Sequence, residues 1–126
     1  MPVPQLNTIA GANYDILAYS DNTFALQLTF TDGTGNPIAK NTSTFLLTVR
    51  KSLVETTPPT SPDWTASTGD GSITVTGTGH NVVNVSKELT IPGGNYYYEL
   101  QETDANGTII TPIYGKMFVT KSVTTP

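Results

Sequence analysis

The sequence is poor in the residue types that most often carry chemistry. It has no cysteine, a single histidine and only 13% charged residues among its 126 positions. Without cysteine there can be no disulfide and no thiolate metal site. The six basic residues are scattered and the net charge is −4, so no basic stripe can neutralise nucleic-acid phosphates. Nucleic acid is therefore excluded as an expected partner.

Long apolar runs are absent as well. No run approaches the roughly 18 residues that suggest a membrane span. The start, Met1-Pro2-Val3-Pro4-Gln5, lacks the basic and apolar regions of a signal peptide. We therefore expect no membrane partner, and a protein made and assembled in a cytoplasm.

Threonine, serine, asparagine and glycine take the place of the missing charges. Threonine alone is roughly one residue in five, and its β-branched side chain suits the outward face of a strand. A surface short of Lys and Glu lacks the charges that blunt sheet edges and keep monomers apart. Such a surface fits either an assembled protein or a weakly charged monomer.

Apolar and polar side chains alternate along the chain with a period of two, and no helical period competes. The alternation is clearest over 23–31, 43–51 and 95–103. Further strands are predicted at 6–9, 15–19, 72–76, 82–87 and 108–123, the last bulged near Pro112 or Gly115. The inward members of the three clearest strands form the predicted core: Phe24, Leu26, Leu28, Phe30, Phe45, Leu47, Val49, Tyr96, Tyr98 and Leu100.

About seven to nine short, mostly antiparallel strands without a substantial helix predict an all-β sandwich or barrel. Tyr96, where the penultimate strand begins, is a candidate for the tyrosine corner of Ig-like sandwiches. We predict a single domain over 14–124, preceded by an arm (1–13) and followed by a short tail (125–126). The arm is expected to order only by lying on a neighbouring subunit.

Exposed aromatic residues are the candidates for interaction. The stretch 55–68 holds three prolines and the only tryptophan, so we expect a surface connection there. Trp64, Pro58, Pro59 and the outward-pointing Tyr97 could anchor an interface or stack on a sugar. The alternatives are that Trp64 folds back as a lid on an open edge of the sandwich, and that Tyr97 is a half-exposed strand residue.

No group of side chains indicates catalysis, a cofactor or a metal. His80 lies in a Gly-rich turn without companions. Glu99 and Glu102 have opposite parity on one strand and cannot face each other as a glycosidase pair. Asp32, Thr34 and Asn36 have the spacing of a calcium loop, but Ser43 stands where the bidentate glutamate belongs. We expect a turn there, and a protein that is not an enzyme.

Several short motifs resemble one family of phage proteins. The sequence reads Gly-Gly-Asn-Tyr-Tyr-Tyr-Glu-Leu over 93–100, Asn-Gly-Thr-Ile over 106–109 and Gly-Lys-Met-Phe-Val over 115–119, with Val123-Thr124 at the end. Together they resemble the closing hairpin of an Ig-like module of tailed bacteriophages. That module is found at the N-terminus of baseplate upper proteins and in related tail and fibre proteins. The strand at 23–31, the turn at 32–38 and Phe-Leu-Leu-Thr-Val-Arg over 45–50 resemble its opening.

The resemblance implies a virion component that docks on other virion proteins and on copies of itself. It would act as a tail or baseplate adaptor, or in capsid decoration or head-fibre anchoring. The rival hypothesis is a carbohydrate-binding or adhesin module that uses Trp64 and Tyr97 as stacking platforms. A small hydrolase built around His80 is the third.

Overall fold

A computed structural model describes the backbone of residues 5–6 and all of residues 12–51 and 62–121. Strands dominate these residues and none of them is helical, as the period-two alternation predicts. The ten strands are β1 (Gln5–Leu6), β2 (Ala12–Asn13), β3 (Ile16–Ser20), β4 (Thr23–Phe30), β5 (Thr44–Arg50), β6 (Trp64–Ser67), β7 (Ile73–Thr76), β8 (Val82–Glu88), β9 (Gly94–Thr103) and β10 (Ile109–Lys121).

The strands form the two sheets of an Ig-like sandwich. One sheet has the order β1-β4-β8-β7, and the other has the order β2-β10-β9-β5-β6, with β3 also paired to β10. In immunoglobulin lettering these are an A-B-E-D sheet and a G-F-C-C′ sheet. Most pairs are antiparallel, whereas β1 on β4 and both β2 and β3 on β10 are parallel. The predicted fold class is confirmed, with one strand more than the upper expectation.

Between the sheets lies one hydrophobic core, built from the inward side chains of the alternating strands. All ten predicted core residues are buried, and Leu28, Phe30, Leu47, Val49 and Leu100 are fully so. Full burial of side chains of this size is worth about 1.5–3 kcal/mol each. The Tyr96 hydroxyl donates a hydrogen bond to the Pro92 carbonyl oxygen, 2.8 Å away, which is the backward contact of a tyrosine corner.

The N-terminal segment departs from the predicted arm. Gln5–Leu6 pairs with β4 in one sheet, and Ala12–Asn13 pairs with β10 in the other. These residues therefore have strand partners within their own chain. Extended backbone beside a free sheet edge satisfies its hydrogen bonds by joining that edge. The rest of the predicted strand at 6–9 and the tail at 125–126 lie outside the described residues.

The proline-rich stretch also differs from the prediction, because Trp64–Ser67 forms the edge strand β6 against β5. The irregularity predicted in the last strand is present: the register between β9 and β10 shifts between Ile110 and Ile113, around Pro112. Proline has no amide hydrogen for the ladder, so the pairing breaks where it lies.

Candidate functional site

Trp64 is buried, so its predicted role in an interface is wrong. Its side chain is only 5% exposed, and its Nε1 donates to the Glu88 carbonyl oxygen at 2.9 Å. The ring meets that of Phe24 edge-on at 5.8 Å between centroids, and the Lys87 ammonium lies 5.6 Å from it. Trp64 therefore closes the side of the sandwich, as the lid alternative has it. Pro58 and Pro59 lie outside the described residues.

Exposed apolar residues are instead concentrated on a single surface. In the described parts of the chain, six large hydrophobic side chains are exposed: Leu17, Tyr19, Leu46, Tyr97, Ile109 and Tyr114. Strand register places all six on the side of the six-stranded sheet that points away from the core. We call this surface the outer face. Tyr97, predicted to point outward, lies near its centre at 37% exposure.

The outer face carries an open groove of about 600 Å³. Tyr97 and Tyr114 are diagonal neighbours on β9 and β10, a separation that aromatic side chains can bridge. The side chains that line the groove include these two aromatic rings, two cations and two carboxylates. They are Tyr97, Tyr114, Arg50, Lys116, Asp15 and Glu99. The groove is therefore aromatic at its centre, and its formal charges balance.

The floor of the groove lies beside Tyr14 and Asp15, the two residues that separate strands β2 and β3. Gly115 approaches this point so closely that a Cβ there would lie 2.6 Å from the Tyr14 carbonyl oxygen. The Tyr98 hydroxyl donates a hydrogen bond to the same oxygen. The Asp15 carboxylate accepts from the Lys116 backbone N–H at 3.0 Å, replacing a ladder partner. These contacts fix the edge of the groove.

Tyr98 is a core residue whose ring reaches this floor from inside. Burial is the main reason that its pKa is raised above the ordinary tyrosine value, and the Asp15 carboxylate adds to the effect. The hydroxyl therefore stays protonated and acts as a donor. Its role here is structural.

The polar clusters that suggest chemistry in the sequence form turns or internal hydrogen bonds in the structure. Asp32 Oδ1 accepts hydrogen bonds from Thr34 and from the Asn36 backbone N–H, which lowers the pKa of Asp32. This is the predicted turn. His80 has a φ of 52° and is exposed in its turn. Among the described residues no group of three or more His, Cys, Asp or Glu could hold a metal ion.

A buried ion pair is the feature that sequence reasoning missed. Lys40 Nζ lies 2.9 Å from Glu102 Oε1, and both side chains are at most 6% exposed. The Ser43 hydroxyl donates to the other carboxylate oxygen at 2.7 Å, and the Lys40 ammonium lies 4.8 Å from the Phe30 ring centroid. The signal was available: Glu102 shares the inward parity of Tyr98 and Leu100, and a carboxylate there needs a cation.

Comparison with known proteins shows no family for this chain. No family model matches the sequence, and no curated protein matches it. Among solved structures, an endo-fucoidan hydrolase of glycoside hydrolase family 107 aligns with 90% of this chain at 15% identity and a TM-score of 0.42. The chain spans only 13% of that protein's length. In the described residues no helix is long and apolar enough to cross a membrane.

Proposed function

We propose that the chain is a non-enzymatic structural protein of a bacteriophage virion. It is an Ig-like module that docks on other virion proteins, as a tail or baseplate adaptor or in capsid decoration and head-fibre anchoring. The sequence resemblance to phage Ig-like modules supplies the setting. The observation that carries the proposal is the outer face, where six exposed apolar side chains share one surface.

Such a surface is unusual for an independent monomer. Soluble monomers scatter their exposed large apolar side chains over the whole surface, whereas those of the described residues all lie on one face of one sheet. Tyrosine is enriched at protein interfaces, and it supplies three of the six residues here. The low content of charged residues, 13%, leaves few charges to keep protein neighbours away.

The test is incorporation into particles. A phage deleted for the gene is complemented with wild-type chain, with Tyr114→Asp on the outer face, or with Thr74→Asp, an exposed position on β7 of the other sheet. Quantitative mass spectrometry of washed, gradient-purified virions should find wild type and Thr74→Asp at equal copy number and Tyr114→Asp depleted. Absence of the wild-type chain from washed particles would refute the proposal.

The groove favours a second candidate, a carbohydrate-binding module. Two tyrosine rings beside carboxylates, cations and the Thr48 hydroxyl match a sugar, whose apolar faces stack on rings while its hydroxyls hydrogen-bond. This version uses Tyr97 and Tyr114 in place of the buried Trp64. Glycan-array binding that is abolished in Tyr97→Ala and kept in Tyr19→Ala would establish it, and an array without signal would remove it.

A further inference from the structure

We infer that the outer face pairs with the outer face of a second copy of this chain, related by a two-fold axis. The inference rests on the proposed function, since it names the partner of the same surface. Its basis is the order of charges across the sheet. A surface that pairs with itself across a two-fold axis must be self-complementary, so every contact between two different residues occurs twice in the dimer.

Four residues on adjacent strands form one row across the outer face. Arg50 on β5 pairs with Tyr97 on β9, and Tyr97 pairs with Lys116 on β10. Asp15 continues the row, because its carboxylate accepts the Lys116 backbone N–H at 3.0 Å. The row therefore reads cation, aromatic ring, cation, anion, with neighbouring strands about 4.8 Å apart.

A 180° rotation about a two-fold axis makes this order of charges complementary to itself. With an axis along the strands, between β9 and β10, the row of the second copy runs in reverse over the first. Arg50 then meets Asp15 of the other copy, and Lys116 meets the Tyr97 ring, the geometry of a cation–π contact. Both contacts occur twice. Sheets that pack face to face in aligned fashion, about 10 Å apart, allow this approach.

The next row is compatible with the same axis. Thr48 and Glu99 are paired across β5 and β9, and Tyr114 pairs with Glu99 from β10, while Asn13 pairs with Tyr114 from β2. Reversal brings Thr48 over Asn13 and Glu99 over Tyr114, so no like charges meet within the row.

The charge balance of the groove removes the main obstacle to self-association. The whole chain has a net charge of −4, which repels a second copy. Within the groove, however, Arg50 and Lys116 offset Asp15 and Glu99, so repulsion is weakest at this surface. Four strand columns overlap about this axis: β5, β9, β10 and the column of β2 and β3. Spaced about 4.8 Å apart and seven residues long, they make a face of roughly 450 Å² in projection. Its accessible area is larger, which places the pairing at the low end of the size range of specific interfaces.

A charge-swap experiment tests the pairing. Arg50→Glu places two carboxylates opposite each other, and Asp15→Arg does the same with two guanidinium groups. Each variant alone should weaken the dimer at least about tenfold in analytical ultracentrifugation, because like charges at an interface are costly. An equimolar mixture of the two variants should restore it, since the introduced carboxylate of one chain then meets the introduced guanidinium of the other. Lys121→Glu, an equal reversal on β10 with inward parity, should leave the dimer unchanged.

A second variant covers the case in which Asp15→Arg, which loses the bond to the Lys116 amide, fails to fold. Tyr97→Lys puts an ammonium opposite Lys116 of the other copy, twice, and should also give monomers, with a cooperative thermal transition showing that the fold is kept. A wild-type chain that sediments as a monomer up to its solubility limit would overturn the inference. So would a dimer indifferent to Arg50→Glu and Tyr97→Lys. Neither result depends on whether virions contain the chain, so the proposed function is judged separately.

Discussion

The buried Lys40–Glu102 pair gives the most demanding prediction about stability. Replacing Glu102 by leucine leaves the Lys40 ammonium at 6% exposure without its counter-charge. Replacing Lys40 by methionine strands the carboxylate in the same way, with only the Ser43 hydroxyl left as a donor. Removing one partner of a buried ion pair costs about 3–5 kcal/mol. For a chain of 126 residues this lowers the Tm by roughly 10–20 °C.

The double variant Lys40→Met/Glu102→Leu should behave differently. Two apolar side chains of similar volume remove both charges at once, and such replacements are often neutral or stabilising. The double variant should therefore be more stable than either single variant, and the cycle should give a coupling energy of at least about 2 kcal/mol.

Urea unfolding followed by circular dichroism measures all four proteins, with Lys121→Met as a control that removes an exposed cation. The control should stay within about 0.5 kcal/mol of wild type. Single variants that cost less than about 1 kcal/mol would refute the reasoning, since the two charges would then be hydrated in the folded protein. Additive single costs in the double variant would refute the coupling.

Three further predictions concern the core, the groove floor and alkaline pH. Phe24→Ala should cost about 3–5 kcal/mol in urea unfolding, whereas Tyr97→Ala on the outer face should cost far less; equal costs would contradict the strand facing. Gly115→Ala should destabilise by about 1–3 kcal/mol, because its Cβ would lie 2.6 Å from a backbone oxygen, while Gly33→Ala meets no atom within 4 Å and should be neutral. Burial raises the folded-state pKa of Tyr98 above the unfolded value, so its contribution to stability is complete below about pH 10 and is lost as pH rises. Tyrosinate absorbance should show at least one slow group that ionises only with unfolding, and prompt ionisation of every tyrosine would contradict this.

Most of the fold follows from local pattern. Alternation over 23–31, 43–51 and 95–103 assigns the inward residues, because a side chain on a strand has only two faces available. The tyrosine corner at Tyr96 and the irregularity near Pro112 also follow from single residues with one dominant physical effect. Strand β6 was missed because the nearby prolines indicate a loop more strongly than four residues can indicate a strand.

Features that depend on contacts between residues far apart in the sequence could not be predicted from it. Lys40 and Glu102 are 62 positions apart, and no local pattern joins them. The outer face shows the same limit: each exposed residue can be assigned a parity, but only strand register shows that six of them share one surface. Trp64 illustrates the opposite error, since residue type alone indicated exposure while packing against Phe24 determined burial.

The parallel pairing of β3 with β10 has a mechanical consequence. Asp15, next to β3, is 101 positions from its β10 partner, so the ladder joins strands from near the two ends of the chain. Tension pulling the ends apart slides these parallel strands along each other and loads all their hydrogen bonds simultaneously, so that they must rupture together. The sandwich therefore resists a stretching force applied before β3 and after β10, because that force shears the parallel ladder between the two strands.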